Sequence, residues 1–172
     1  MFQMRWSLAS GLVALALLTT GLAHAQGFAS PKGAVILTAT GQITATNCAA
    51  GLQLDLDQLA ALPQHSFATS TTWTDGITTF QGVLLKDYIA AIKATGSTIT
   101  LTALNDYSIA MPMADVGNDG PLLAFLMDGK PMSLRDKGPI WLVYPYDANA
   151  AYRTEQTYAR SIWQLDRIDF AP

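Results

Sequence analysis

Apolar positions recur along this chain mostly with period two, and β-branched residues fill many of them. Val35–Thr38 and Ile43–Thr46 predict two short strands around a turn at Thr40-Gly41. Leu52-Gln53-Leu54-Asp55 alternates and predicts another. Asp55 and Gln58 have capping-box spacing, so a brief helix is expected through Leu59–Leu62, ended by Pro63. Ser66–Trp73 reads as a strand, Thr74-Asp75-Gly76 as a turn, and Thr78–Phe80 as the return. The period then changes. Leu84, Leu85, Tyr88, Ile89 and Ile92 share one helical face, predicting the main helix over 84–95 with Gly96 as its stop. Thr98–Ala103, Tyr107–Met111, Leu122–Met127, Lys130–Ser133, Ile140–Tyr144 and Ile162–Phe170 complete the strands, with Asp128-Gly129 as a tight turn. Asp147–Tyr158 reads as irregular or partly helical. The pattern predicts an α+β fold, mostly β with one main helix.

One apolar stretch has a different character. Leu8–Leu18 follows a single cation, Arg5, and precedes Ala23-His24-Ala25, the small-x-small pattern of a secretory cleavage site. The stretch falls short of the about 20 apolar residues that a spanning helix needs. Residues 1–25 are therefore expected to be a cleaved signal peptide, and 26–172 a single domain, periplasmic or secreted. Gln26–Lys32 reads as a disordered lead. No twin-arginine pair is present, so export as an unfolded chain is expected.

Charge then narrows the function classes. Without residues 1–25 the chain keeps 9 Lys+Arg against 13 Asp+Glu, a net charge of 9 − 13 = −4. Neither a basic nucleic-acid surface nor a polybasic membrane patch fits that balance. No nucleic-acid partner is expected, and no membrane insertion after signal cleavage. Cys48 is the only cysteine, which excludes an internal disulfide and any cysteine-rich metal cluster. Its turn setting leaves it reactive, buried or available for intermolecular pairing, and burial is expected. Glu155 is the only glutamate, so acid–base chemistry would fall to Asp, Tyr or His65.

Several constellations invite a chemical reading. Asp115-x-x-Asn118-Asp119-Gly120 departs from an EF-hand, with Gly117 in the third position and Leu126 where the bidentate Glu belongs, and reads as a surface turn. His65 stands without a Gly-x-Ser-x-Gly elbow and reads as a loop or capping residue. Arg135-Asp136-Lys137-Gly138-Pro139 lies just before Trp141 and Tyr144-Pro145-Tyr146. Asn105-Asp106-Tyr107 and Arg160-Ser161-Ile162-Trp163 occupy other strand junctions. Guanidinium and amide groups beside aromatic faces suit a flat, polar, anionic ligand. Equally, the arginines could bond loop carbonyls and Asp side chains while Trp141, Tyr144 and Trp163 fill the core.

Ordered along the chain, several segments resemble the sulfite-oxidase-type, molybdopterin-binding oxidoreductase domain. They are Leu37-Thr38-Ala39-Thr40-Gly41-Gln42-Ile43, the Leu52 to Pro63 run, Thr69-x-Thr71-x-Trp73 and Phe80-x-Gly82-Val83-Leu84-Leu85. Ala103–Tyr107, Met127–Met132, Lys137–Pro145 and Arg160–Leu165 follow. The resemblance implies that family's α+β fold. It also implies that a catalytic member would hold molybdenum through a cysteine thiolate on the segment that here is Phe67–Trp73. That segment has no cysteine, and the ligand position falls near Thr69 to Thr71. The expected protein is thus a ligand-binding or protein-interaction module without a cofactor, serving a small anionic or aromatic ligand or a membrane-bound protein partner. Its pocket would use Arg135, Lys137 and Arg160 as anion contacts and Trp73, Tyr107 and Tyr144 as stacking walls. Asn105 and Asp106 would orient polar groups. The alternative is a molybdopterin-dependent oxidoreductase with another group completing the metal shell.

Overall fold

A computed structural model describes residues 27–172. The expected signal peptide lies outside the described residues. Alternation becomes burial most plainly in the strand Thr98–Ala103 (β5), where Ile99, Leu101 and Ala103 point into the core and the threonines point away. It lies in a five-stranded sheet with Leu37–Gly41 (β1), Leu52–Leu54 (β2), Ser108–Pro112 (β6) and Leu165–Ala171 (β10). The order is β2-β1-β10-β5-β6, and only β1 and β10 run parallel. A register shift between Leu165 and Arg167 interrupts the alternation of β10, so Leu165, Ile168 and Phe170 all reach the core.

The second sheet contains His65–Ser70 (β3), Ile77–Leu84 (β4), Leu122–Met127 (β7), Lys130–Pro131 (β8) and Trp141–Val143 (β9). Its order is β3-β4-β7, with β7 pairing both β8 and β9 further on. Asp128 and Gly129 take φ of 48° and 73°, as the predicted tight turn requires. Leu56–Ala60 (α1) starts at the predicted capping box, with Asp55 and Gln58 each bonding the other's backbone N–H. Leu85–Ile92 (α2) buries Leu85, Tyr88 and Ile92, and Glu155–Arg160 (α3) lies within the segment read as partly helical. Mostly β, with three short α-helices among the described residues, the fold is α+β in class. One hydrophobic cluster draws on both sheets.

Four local expectations are corrected. Ile43–Thr46 forms no strand, because both edges of β1 are taken and the Asn47 side-chain amide caps the outer edge of β2 through both backbone groups of Gln53. The main helix stops at Ile92, not 95: Lys93 takes φ 53°, and Thr95 turns away to donate to the Gln42 carbonyl at 2.8 Å. The lead segment is ordered from Gly27, held by Lys32 and Gly33 N–H on Asp55 and by the Asn47 and Gln58 amides on the Ala29 carbonyl. Cys48 is exposed, since its turn closes on Gly51 at the surface rather than over the core. Among the described residues no helix is long and apolar enough to cross a membrane.

Candidate functional site

The two sheets are stitched together where β9 meets the segment leading into β10. Leu142 N–H donates to Ile162 at 2.8 Å, Leu165 N–H donates to Ile140 at 3.0 Å, and Trp141 bridges Trp163. Beside that seam opens a cleft of about 290 Å³, lined by Trp73, Ala103, Asn105, Tyr107, Tyr158, Ala159, Ser161, Ile162 and Trp163. Trp73 is delivered by the turn after β3, where Thr71 Oγ1 accepts its N–H at 3.0 Å. Asn105 and Tyr107 come from the β5–β6 turn, in which Asn105 Oδ1 accepts the Tyr107 N–H at 3.1 Å. The Tyr107 hydroxyl then donates to the Ala159 carbonyl at 3.2 Å, tying this turn to α3. Gln164, at φ 52°, bonds Leu104, Leu134 and Lys137, fixing Trp163 between two loops.

The aromatic rings of the cleft meet edge to face. Trp73 lies 5.8 Å from Trp163 at 78° and 5.9 Å from Tyr158 at 84°, while buried Trp141 backs Trp73 at 5.9 Å. Such packing is favourable beyond simple area burial. All three tryptophans of the described residues belong to this one cluster.

Of the residues expected to form a pocket, Trp73, Asn105 and Tyr107 line the cleft and five do not. Asp106 takes φ 65° and turns out to Arg167, 2.6 Å away. Arg135 is exposed on the loop before β9. Lys137 bonds Asp136 at 3.0 Å and sits 5.5 Å from the Trp141 ring centre. Tyr144 is buried against Tyr146 and Tyr152, and that burial pushes its phenol well above the usual range despite nearby Arg160. Arg160, buried at the end of α3, pairs with Asp115 Oδ2 at 2.9 Å. Two of the three expected cations, Lys137 and Arg160, have a carboxylate within reach, and the buried Arg160 guanidinium would be costly without one. The expected anion contacts are therefore not contacts of this cleft.

Tyr158 is a wall residue that the sequence does not single out, and Trp163 joins it from the strand junction at Arg160–Trp163. Trp163, which the sequence also allows as core, is 38% exposed, enough to form a wall. Tyr146, nearby, hydrogen-bonds the Ser161 hydroxyl, and burial pushes it up to about 12.

A second, more open cleft of about 340 Å³ lies beside β3, with His65, Lys86 and Asp119 among its lining residues. His65 is a strand residue, not a loop or cap, and its Nε2 meets Asp87 Oδ2 at 2.8 Å. The acidic turn at 115–120 is dispersed in its contacts, Asp115 to Arg160 and Asp119 to the Tyr152 hydroxyl. Among the described residues no group of three metal-ligating side chains converges.

The segment on which a catalytic member of the resembled family would carry its thiolate has no cysteine here, and its hydroxyls are engaged within the protein. Thr69 Oγ1 donates to the Ser70 carbonyl at 3.2 Å and accepts the Asp147 N–H at 3.1 Å. Ser70 gives its N–H and hydroxyl to Asp147, and Thr71 Oγ1 holds Trp73 and Thr74. Neutral hydroxyls engaged in this way do not replace a soft thiolate. Neither a family model nor a curated protein matches this chain.

Proposed function

We propose that this protein is a small-ligand-binding module, exported to the periplasm or beyond, whose binding site is the aromatic cleft. The observation that carries the reading is the cleft's construction. Four aromatic residues from separate segments, Trp73, Tyr107, Tyr158 and Trp163, surround about 290 Å³. Asn105 adds a polar group whose Nδ2 has no protein partner among the described residues. An apolar concavity with few polar groups is the usual form of a small-molecule site. The sulfite-oxidase-like fold and export remain part of the proposal on the strength of the sequence resemblance and the signal pattern. The oxidoreductase alternative is disfavoured by the engaged hydroxyls at 69–71 and by the absence of any charged side chain among the cleft's lining residues.

Isothermal titration against a panel of small compounds that includes indole and pterin tests the reading. At least one compound is expected to bind saturably and to lose its binding in Trp73→Ala. Arg135→Ala, a surface change outside the cleft, should leave that binding intact. Binding by no compound, or binding indifferent to Trp73→Ala, would overturn the site. Stoichiometric molybdenum in protein purified from its native compartment would restore the oxidoreductase reading.

A further inference from the structure

The chemistry of the cleft walls restricts the ligand further than size and shape do. Resting on the binding-module reading above, we infer that the cleft takes a quaternary ammonium group, a small organic cation bearing methyls in place of N–H. Aromatic faces attract such cations through the ring quadrupole, and cages of Trp and Tyr are the usual means of holding them. Trp73, Tyr107, Tyr158 and Trp163 supply four rings around one small space.

Charge points the same way. No lining residue is cationic, and three cations of neighbouring segments are paired with carboxylates: Arg160 with Asp115, Arg167 with Asp106 and Asp166, and Lys137 with Asp136. Lys137 also shows that this cluster draws a cation, since its ammonium stands 5.5 Å from the Trp141 ring centre. An anion would find no guanidinium or ammonium lining the cleft.

The hydrogen-bond inventory then separates one class of cation from another. A primary ammonium has three N–H groups to satisfy. Six of the nine lining backbone carbonyls, those of Ala103, Tyr107, Tyr158, Ala159, Ser161 and Ile162, already accept a hydrogen bond. Tyr158 accepts from Ser161, Ala159 from the Tyr107 hydroxyl, Ser161 from Trp141 Nε1, and Ile162 from Leu142. Ala103 accepts from Asp106 and Arg167, and Asn105 Oδ1 from Tyr107. Burying unsatisfied N–H groups among them would be costly. A quaternary ammonium has none, and its methyls suit apolar walls. Asn105 Nδ2 is then free to donate to an oxygen on the ligand's tail.

Isothermal titration of the folded protein with choline, ethanolamine and 3,3-dimethylbutan-1-ol, the neutral isostere of choline, is the test. Choline is expected to bind at least about tenfold more tightly than either of the others, the scale of one or two cation–π contacts. Trp163→Ala, at the more exposed wall, should weaken choline by about tenfold, and Trp73→Ala by at least as much if it folds. A neutral isostere or a primary amine binding as tightly as choline would overturn the inference. If indole binds in a Trp73-dependent way and choline does not, this inference fails while the small-ligand reading stands. If no compound binds, both fail.

Discussion

Asp55 shows how much one carboxylate can organise. It accepts N–H groups from Gly33 and Lys32 at 2.8 Å each and from Gln58 at 2.9 Å, joining the lead segment to the start of α1. The Gly33 bond is the strongest influence, then Gln58, and they hold its carboxyl below the usual range. A carboxyl depressed in the folded state adds stability above its ordinary pKa, and that stability is lost as pH falls through the folded value. Urea midpoints should therefore decline on acidification from about pH 5 to about pH 3. Asp55→Asn, which keeps a capping oxygen, should flatten this decline. It should not abolish it, because Asp147 is also held low, first by the Ser70 N–H. An acid limb as steep in Asp55→Asn as in the parent would remove Asp55 from this account.

At the level of elements, the second sheet depends on close approach at a bulge. β4 shifts register against β7 between Gln81 and Gly82, and a Cβ on Gly82 would stand 2.0 Å from the Leu123 carbonyl oxygen. The strands would have to part, and overpacking of this kind typically costs about 1–3 kcal/mol. For a domain of this size that is a fall in Tm of about 4–10 °C in Gly82→Ala by calorimetry. Gly76 offers the comparison: its φ of 67° suits Asn and nothing lies within 4 Å, so Gly76→Asn should change Tm far less. Equal losses in the two variants would mean that close approach at the bulge is not what matters. The helix α2 makes a related point. Its start and buried face follow from its own apolar spacing, but its end is set by Gln42, which takes the Thr95 N–H.

At the level of the molecule, Trp141 holds the sheets and the cleft together. Fully buried, it packs on Phe80 at 5.2 Å, backs Trp73, bridges Trp163 and donates its indole N–H to the Ser161 carbonyl at 3.1 Å. Truncating such a residue costs about 3–5 kcal/mol. Trp141→Ala should accordingly lower the unfolding free energy, read by denaturant titration, by that amount and diminish the near-ultraviolet dichroism of the whole tryptophan cluster. It should also weaken ligand binding, though Trp141 does not line the cleft. A stable variant with unchanged dichroism would show that the seam rests on the backbone bonds alone.

Local chemistry was enough to announce much of this structure. The alternation in Thr98–Ala103, the capping box at Asp55 and Gln58 and the Asp128-Gly129 turn each depend on neighbours within a few residues, so the chain itself determined them. Asn105 and Tyr107 were readable as site candidates from their strand junction, and Trp73 from the family resemblance. The fate of the charges was not local. Arg160 needed Asp115 and Asp106 met Arg167, partners far away in the chain that only folding brings within 3 Å. Burial makes an unpaired charge costly, so the buried Arg160 went to a carboxylate that the fold supplied. The aromatic rings, free of that demand, were left to line the cleft. The sequence determined which groups a site could contain; tertiary structure decided that the charges would be neutralised outside it and the rings gathered within.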